Sequence, residues 1–118
     1  MRIAVPYENG EIAMRFGHTK AFKVYQVSDE GKLEWGREIR VANLDEHEEK
    51  ANFLRATGVS KLICSGICKA GQNAVREVGI EIFGGVEGDA DAAVDAYLAG
   101  ALQFETDPDK LKCNHEEA

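Results

Sequence analysis

Long hydrophobic runs are missing from this chain. No apolar stretch approaches the roughly 20 residues that cross a bilayer. Met1 to Val5 has no extended apolar segment of the secretory kind and passes straight into a strand pattern. No signal peptide is expected, and the expected compartment is the cytoplasm. There the three cysteines are expected as thiols rather than as a bridge network. Positive charge is also scarce: 14 Lys and Arg face 21 Asp and Glu, a net charge of −7. Nucleic acid is bound by neutralising phosphates, so this balance argues against it, and equally against an anionic membrane. No phosphate-cradling G-x-x-x-x-G-K occurs, and no Ser/His/Asp arrangement. The segment Ile3-Ala4-Val5-Pro6 carries no carboxylate. Two-metal nuclease chemistry needs convergent carboxylates on the strands, so it is not expected here.

What is present is one domain's worth of chain. At 118 residues with 44% hydrophobic content, it can bury a core without disulfide or metal staples. Arg2 to Tyr7 reads as a first strand, followed by the turn signal Asn9-Gly10 and a short return at Glu11 to Ala13. Arg15 to Lys20 is a loop with Gly17 beside His18. Ala21 to Val27 alternates, with Phe22 and Val24 on one face and Tyr25 and Val27 on the other. Asp29 to Lys32 turns the chain into a further strand, Leu33 to Ala42, which completes an antiparallel hairpin.

Helical periods then take over. Asn43 to Thr57 reads as a helix capped by Asn43 or Asp45 and stopped by Gly58. Ile80 to Phe83 is a buried strand, and Asp89 caps a last helix to Leu98. In that helix Ala90, Ala93, Val94, Tyr97 and Leu98 follow the i, i+3, i+4, i+7, i+8 stripe. The order β-β-β-α-β-α-β-α predicts an α/β domain. Its mixed sheet of about five strands has an antiparallel and a parallel portion, with helices packed on it. The domain is expected over residues 1–104, with a polar, flexible tail over 105–118.

The chemistry is concentrated in K-L-I-C-S-G-I-C-K-A-G, Lys61 to Gly71. An apolar strand breaks at Ser65-Gly66 and enters a helix near Lys69. A helix start there presents unpaired N–H groups and partial positive charge. Cys64 and Cys68 flank the turn at a C-x3-C spacing, within the range of metal ligands. Cys68 sits by the helix start, where a thiolate is favoured. Cys64 lies in the apolar run, where a cysteine often serves as a small buried hydrophobe. Cys113 and His115 form a second soft pair in the tail. His47 lies in an acidic helix start and reads as a solvated surface residue, and Phe16 reads as core.

Four segments carry a family resemblance. They are R-I-A-V-P, then R-F-G-H-T-K-A-F around His18, then L-I-C-S-G-I, then G-I-E-I-F-G-G with A-V-D-A-Y-L-A-G-A-L downstream. Over residues 1–104 the chain resembles the dinitrogenase iron–molybdenum cofactor-binding family, which includes NifX, NafY and the C-terminal domain of NifB. The resemblance implies a ribonuclease H-like three-layer fold. It implies a non-enzymatic carrier of an anionic metal–sulfur cluster, iron–molybdenum cofactor-like or an iron–sulfur precursor, of the kind assembled for nitrogen fixation. It implies His18 as a cluster ligand.

On this reading His18 and Cys68 are ligands, with Cys64 a further candidate. Gly66, Lys69 and the helix N-terminus would supply N–H groups and positive potential. Partners would be cofactor-assembly or acceptor proteins, and the chain a monomer or weak homodimer. Two alternatives use the same residues. One is a zinc site built from Cys64, Cys68, Cys113 and His115. The other is a thiol-redox module in which Cys64 and Cys68 form a disulfide.

Overall fold

Alternation along the strands divides the apolar residues between two faces. In β1 (Arg2–Glu8), Ile3 and Val5 face one way and Ala4 the other. β3 (Ala21–Val27) sends Phe22 and Val24 with Ala4, and Tyr25 and Val27 with Ile3 and Val5. A sheet apolar on both faces must be covered on both. The computed structural model, which describes residues 1–107, 110 and 111, is built in that way.

The sheet runs β4-β3-β1-β5-β6, with β4 at Leu33–Arg40, β5 at Lys61–Ile63 and β6 at Glu81–Phe83. The short β2 (Glu11–Ile12) pairs with the end of β1. The pairs β1–β3 and β3–β4 are antiparallel, while β1–β5 and β5–β6 are parallel. β1 is therefore the strand at which the sheet changes from antiparallel to parallel. Both portions expected from the order of elements are present.

Helices α1 (His47–Ala56) and α2 (Lys69–Glu77) bury Ala51, Leu54, Ala74 and Val75 against the face of Ala4, Phe22 and Leu62. Helix α3 (Ala90–Leu98) places Ala90, Ala93 and Val94 on the face of Ile3, Val5 and Ile63. The stripe expected for α3 is the one buried, and Asp89 caps it by accepting the Ala92 N–H at 2.8 Å. No helix among the described residues is long and apolar enough to cross a membrane.

One helix boundary differs from expectation. α1 begins at His47, not Asn43. The Glu46 N–H donates to Glu49 Oε1 at 3.0 Å, so an acid pair one turn later starts the helix. Leu44 instead turns back on the sheet edge, its N–H donating to the Val41 carbonyl at 2.9 Å. Beyond Phe104 the described residues touch the sheet edge. Glu105 and Gly84 exchange N–H···O bonds at 2.9 Å, and Leu111 packs over Gly84. Cys113 and His115 lie outside the described residues.

Candidate functional site

Two loops meet beyond the carboxyl end of β5. One holds Met14, Arg15 and a 3-10 turn, Phe16–His18; the other runs from Cys64 to Cys68. They are joined through backbone. The Gly66 N–H donates to the Met14 carbonyl, and the Phe16 N–H donates to the Gly66 carbonyl, each at 3.0 Å. Phe16 is fully buried and anchors the turn, its ring 5.7 Å from that of Phe22. α1 supplies the third wall. Lys50, 2% exposed, donates from Nζ to the Gly17 carbonyl at 3.1 Å and the Asp45 carbonyl at 3.5 Å. Burial lowers the Lys50 pKa, opposed by Asp45, Glu49 and Glu46.

These walls enclose a cleft of about 210 Å³ lined by Arg15, Phe16, Gly17, His18, Asp45, His47, Gly66 and Cys68. His18, Cys68 and Gly66, expected to work together from the sequence, thus share one cavity. A wider depression of about 490 Å³ also reaches Arg15 and His18, and is lined further by Lys20 and Arg40 with Glu8 and Glu38. His18 stands at the border of the two.

Other expectations change. Cys64 is fully buried in the core on the side of Leu62, and burial pushes its thiol up to about 12. It lines neither cavity. Cys68 is the N-cap residue of α2 and is disulfide-bonded, whereas Cys64 is free. The Cys64–Cys68 disulfide of the redox reading is therefore not formed, and the sulfur of Cys68 is not a thiolate in this state. The N–H of Gly66 is taken by Met14, so its work is to join the loops rather than to donate into the cleft. Lys69 is exposed at the first position of α2 and is not a lining residue. The zinc alternative loses Cys64 as a ligand. Cys64 is sealed in the core, and Cys113 and His115 lie outside the described residues. Among the described residues no three His, Cys, Asp or Glu side chains group to hold a metal ion.

His47 is half-buried rather than fully solvated. Its ring lies 6.2 Å from Phe16, with 12° between the planes, and its Nδ1 is buried with no hydrogen-bond partner among the described residues. Two glycines make room for it. A Cβ on Gly17 would come within 2.8 Å of His47 Cε1, and one on Gly71 within 3.3 Å of Nδ1. Burial, then the Lys50 charge, lower its pKa against the opposing charge of Glu46, with His18 a weaker lowering effect. The ring is thereby kept neutral, the form that can ligate a metal. A signal for it was present. Half-buried His47 stands at i, with the buried Lys50, Ala51 and Leu54 of α1 at i+3, i+4 and i+7 on the same stripe. Starting the helix at Asn43 hides that phase.

The family described as dinitrogenase iron–molybdenum cofactor matches residues 1–100. No curated protein matches the chain. Among solved structures, the chain is similar to the protein PH0822, with a TM-score of 0.80 and 20% identity over 91% of this chain and 98% of that one. It is similar to the apo form of the orange protein from Desulfovibrio gigas, with a TM-score of 0.73 and 23% identity over 88% and 92%. It is also similar to MJ0327 from Methanocaldococcus jannaschii, with a TM-score of 0.70 and 21% identity over 92% and 97%. At these identities the likeness is one of fold.

Proposed function

The chain belongs to the dinitrogenase iron–molybdenum cofactor family, and from that premise we propose that it is a non-catalytic carrier of an anionic metal–sulfur cluster. The cluster is cargo, collected from one protein of metallocofactor assembly and released to another, in the cytoplasm. The single observation that carries the reading is that His18 and Cys68 line one cleft. They come from loops distant in sequence and joined by two backbone bonds.

Each wall has a role in this reading. His18 offers an imidazole at the border of the small cleft and the wider depression. Arg15 lines both, and with Lys20 and Arg40 it outnumbers Glu8 and Glu38 by one charge in the wider depression, a local positive surplus on an acidic protein. Lys69 adds to that potential beside the start of α2. Cys68 becomes a soft ligand once reduced. Cys64 has no part, because its thiol is sealed in the core. Few protein ligands suit a carrier, since the cargo must leave again.

The strand order, three antiparallel strands followed by two parallel ones, supports a ribonuclease H-like description of the three layers. No carboxylate stands between Ile3 and Pro6, which argues against that fold's nuclease chemistry.

Anaerobic reconstitution with iron, sulfide and molybdate tests the carrier. Wild type is expected to acquire visible absorption bands and bound metal, and His18→Ala to acquire far less. Metal-free spectra in both would overturn the reading.

A further inference from the structure

We propose that His47 is a second metal-contacting imidazole of this cleft, acting with His18 on one first-row metal ion, either within the cargo or alone. The inference rests on the cargo-site reading above and names a ligand that the reading does not need.

Buried polar atoms are nearly always hydrogen-bonded, and an exception calls for an explanation. His47 Nδ1 is such an exception. Its ring is not held by hydrogen bonds to that nitrogen but by shape. Phe16 lies nearly parallel to it, Gly17 approaches its edge with no room for a Cβ, and Gly71 lies close to its Nδ1. A ring fixed by packing is pre-set for a ligand, because little side-chain freedom remains to be lost on binding. The same cleft receives His18 and Cys68. Two imidazoles suit first-row metals such as iron, copper and zinc. They also leave most coordination positions open, to be filled by the sulfides of a cluster or by water. A purely structural histidine would instead be expected to use its buried nitrogen in a bond to the surrounding backbone, and Nδ1 makes none among the described residues.

The test uses full-length, nitrogen-15-labelled protein with its disulfide intact, titrated with zinc ion alone. The chain has three histidines, so the long-range proton–nitrogen spectrum of their rings is simple to assign. The ring nitrogens of His18 and His47 are expected to shift together and to saturate at one zinc per chain. His47→Phe, which keeps the stack on Phe16, is expected to weaken zinc binding by about tenfold or more, as is His47→Gln. A shift at His18 alone, with unchanged affinity in both variants, would overturn the inference and leave the cargo site standing. Unmoved rings of both His18 and His47 in millimolar zinc would sink the metal reading of the cleft, and this inference with it.

Discussion

The amide of Phe16 donates to the carbonyl of Gly66 at 3.0 Å, and through this bond the loop of His18 is carried by the loop of Cys68. The cleft is a property of that junction. Substitutions that disturb the walls around that junction should therefore change cargo binding.

Gly17→Ala is the sharpest such change. The added methyl would meet His47 Cε1 at 2.8 Å, closer than real contacts allow. The ring must move or the turn must open, at a cost of about 1–3 kcal/mol. Urea unfolding should show that loss, and zinc or cluster binding should fall even at temperatures where the variant is fully folded.

Lys50→Met removes the ammonium that holds the Gly17 carbonyl at 3.1 Å but keeps much of the buried stem. The carbonyl loses a buried partner, while the cost of burying a charge is also removed. A net destabilisation of about 1 kcal/mol is expected. Faster amide exchange should be confined to the 3-10 turn, which hydrogen-exchange mass spectrometry would detect. Unchanged exchange there would remove Lys50 from the clamp.

His47→Phe should stabilise the protein at neutral pH by about 1 kcal/mol, because an unpaired buried nitrogen disappears. It should also flatten part of the acid dependence. The unfolded histidine takes its proton near pH 6.5, and the folded one only at lower pH. Within that window the unfolded state holds more protons, so wild type loses stability as pH falls from about 6.5. Chemical denaturation of both proteins at pH 7 and pH 5 isolates the difference. A gain in stability together with a loss of binding is the pattern of a residue kept for function.

Cys64 gives an alkaline counterpart. Its thiol ionises near 9 when unfolded and is pushed up to about 12 when folded. The unfolded state releases its proton first, so stability should fall as pH rises above 9. Cys64→Ala should abolish that component. Iodoacetamide should leave Cys64 unmodified in the native protein, at 0% exposure, and label it after denaturation.

Much of this was legible in the residues. Alternation in β1 and β3 assigned each apolar side chain to its face, and the stripe in α3 is the one buried. The burial of Cys64 was legible too. It shares parity with Leu62, which points into the layer of α1 and α2, so the thiol two residues on points there as well. The α1 boundary was harder. Asn43, Asp45 and Glu46 can all begin a helix, and what selects among them is the return of Leu44 to the sheet, a contact made in three dimensions.

The sequence by itself determined the periods, and so the elements, their order and the faces they bury, because side-chain alternation and helical phase are local. The tertiary structure alone decided that the turn of His18, the cap of α2 at Cys68 and the first residue of α1 surround one cavity. That meeting depends on which strands lie beside β1 and on two backbone bonds between loops far apart along the chain. Hydrogen bonds of that kind leave no periodic trace in the residues that make them, since any residue's N–H and C=O can form them.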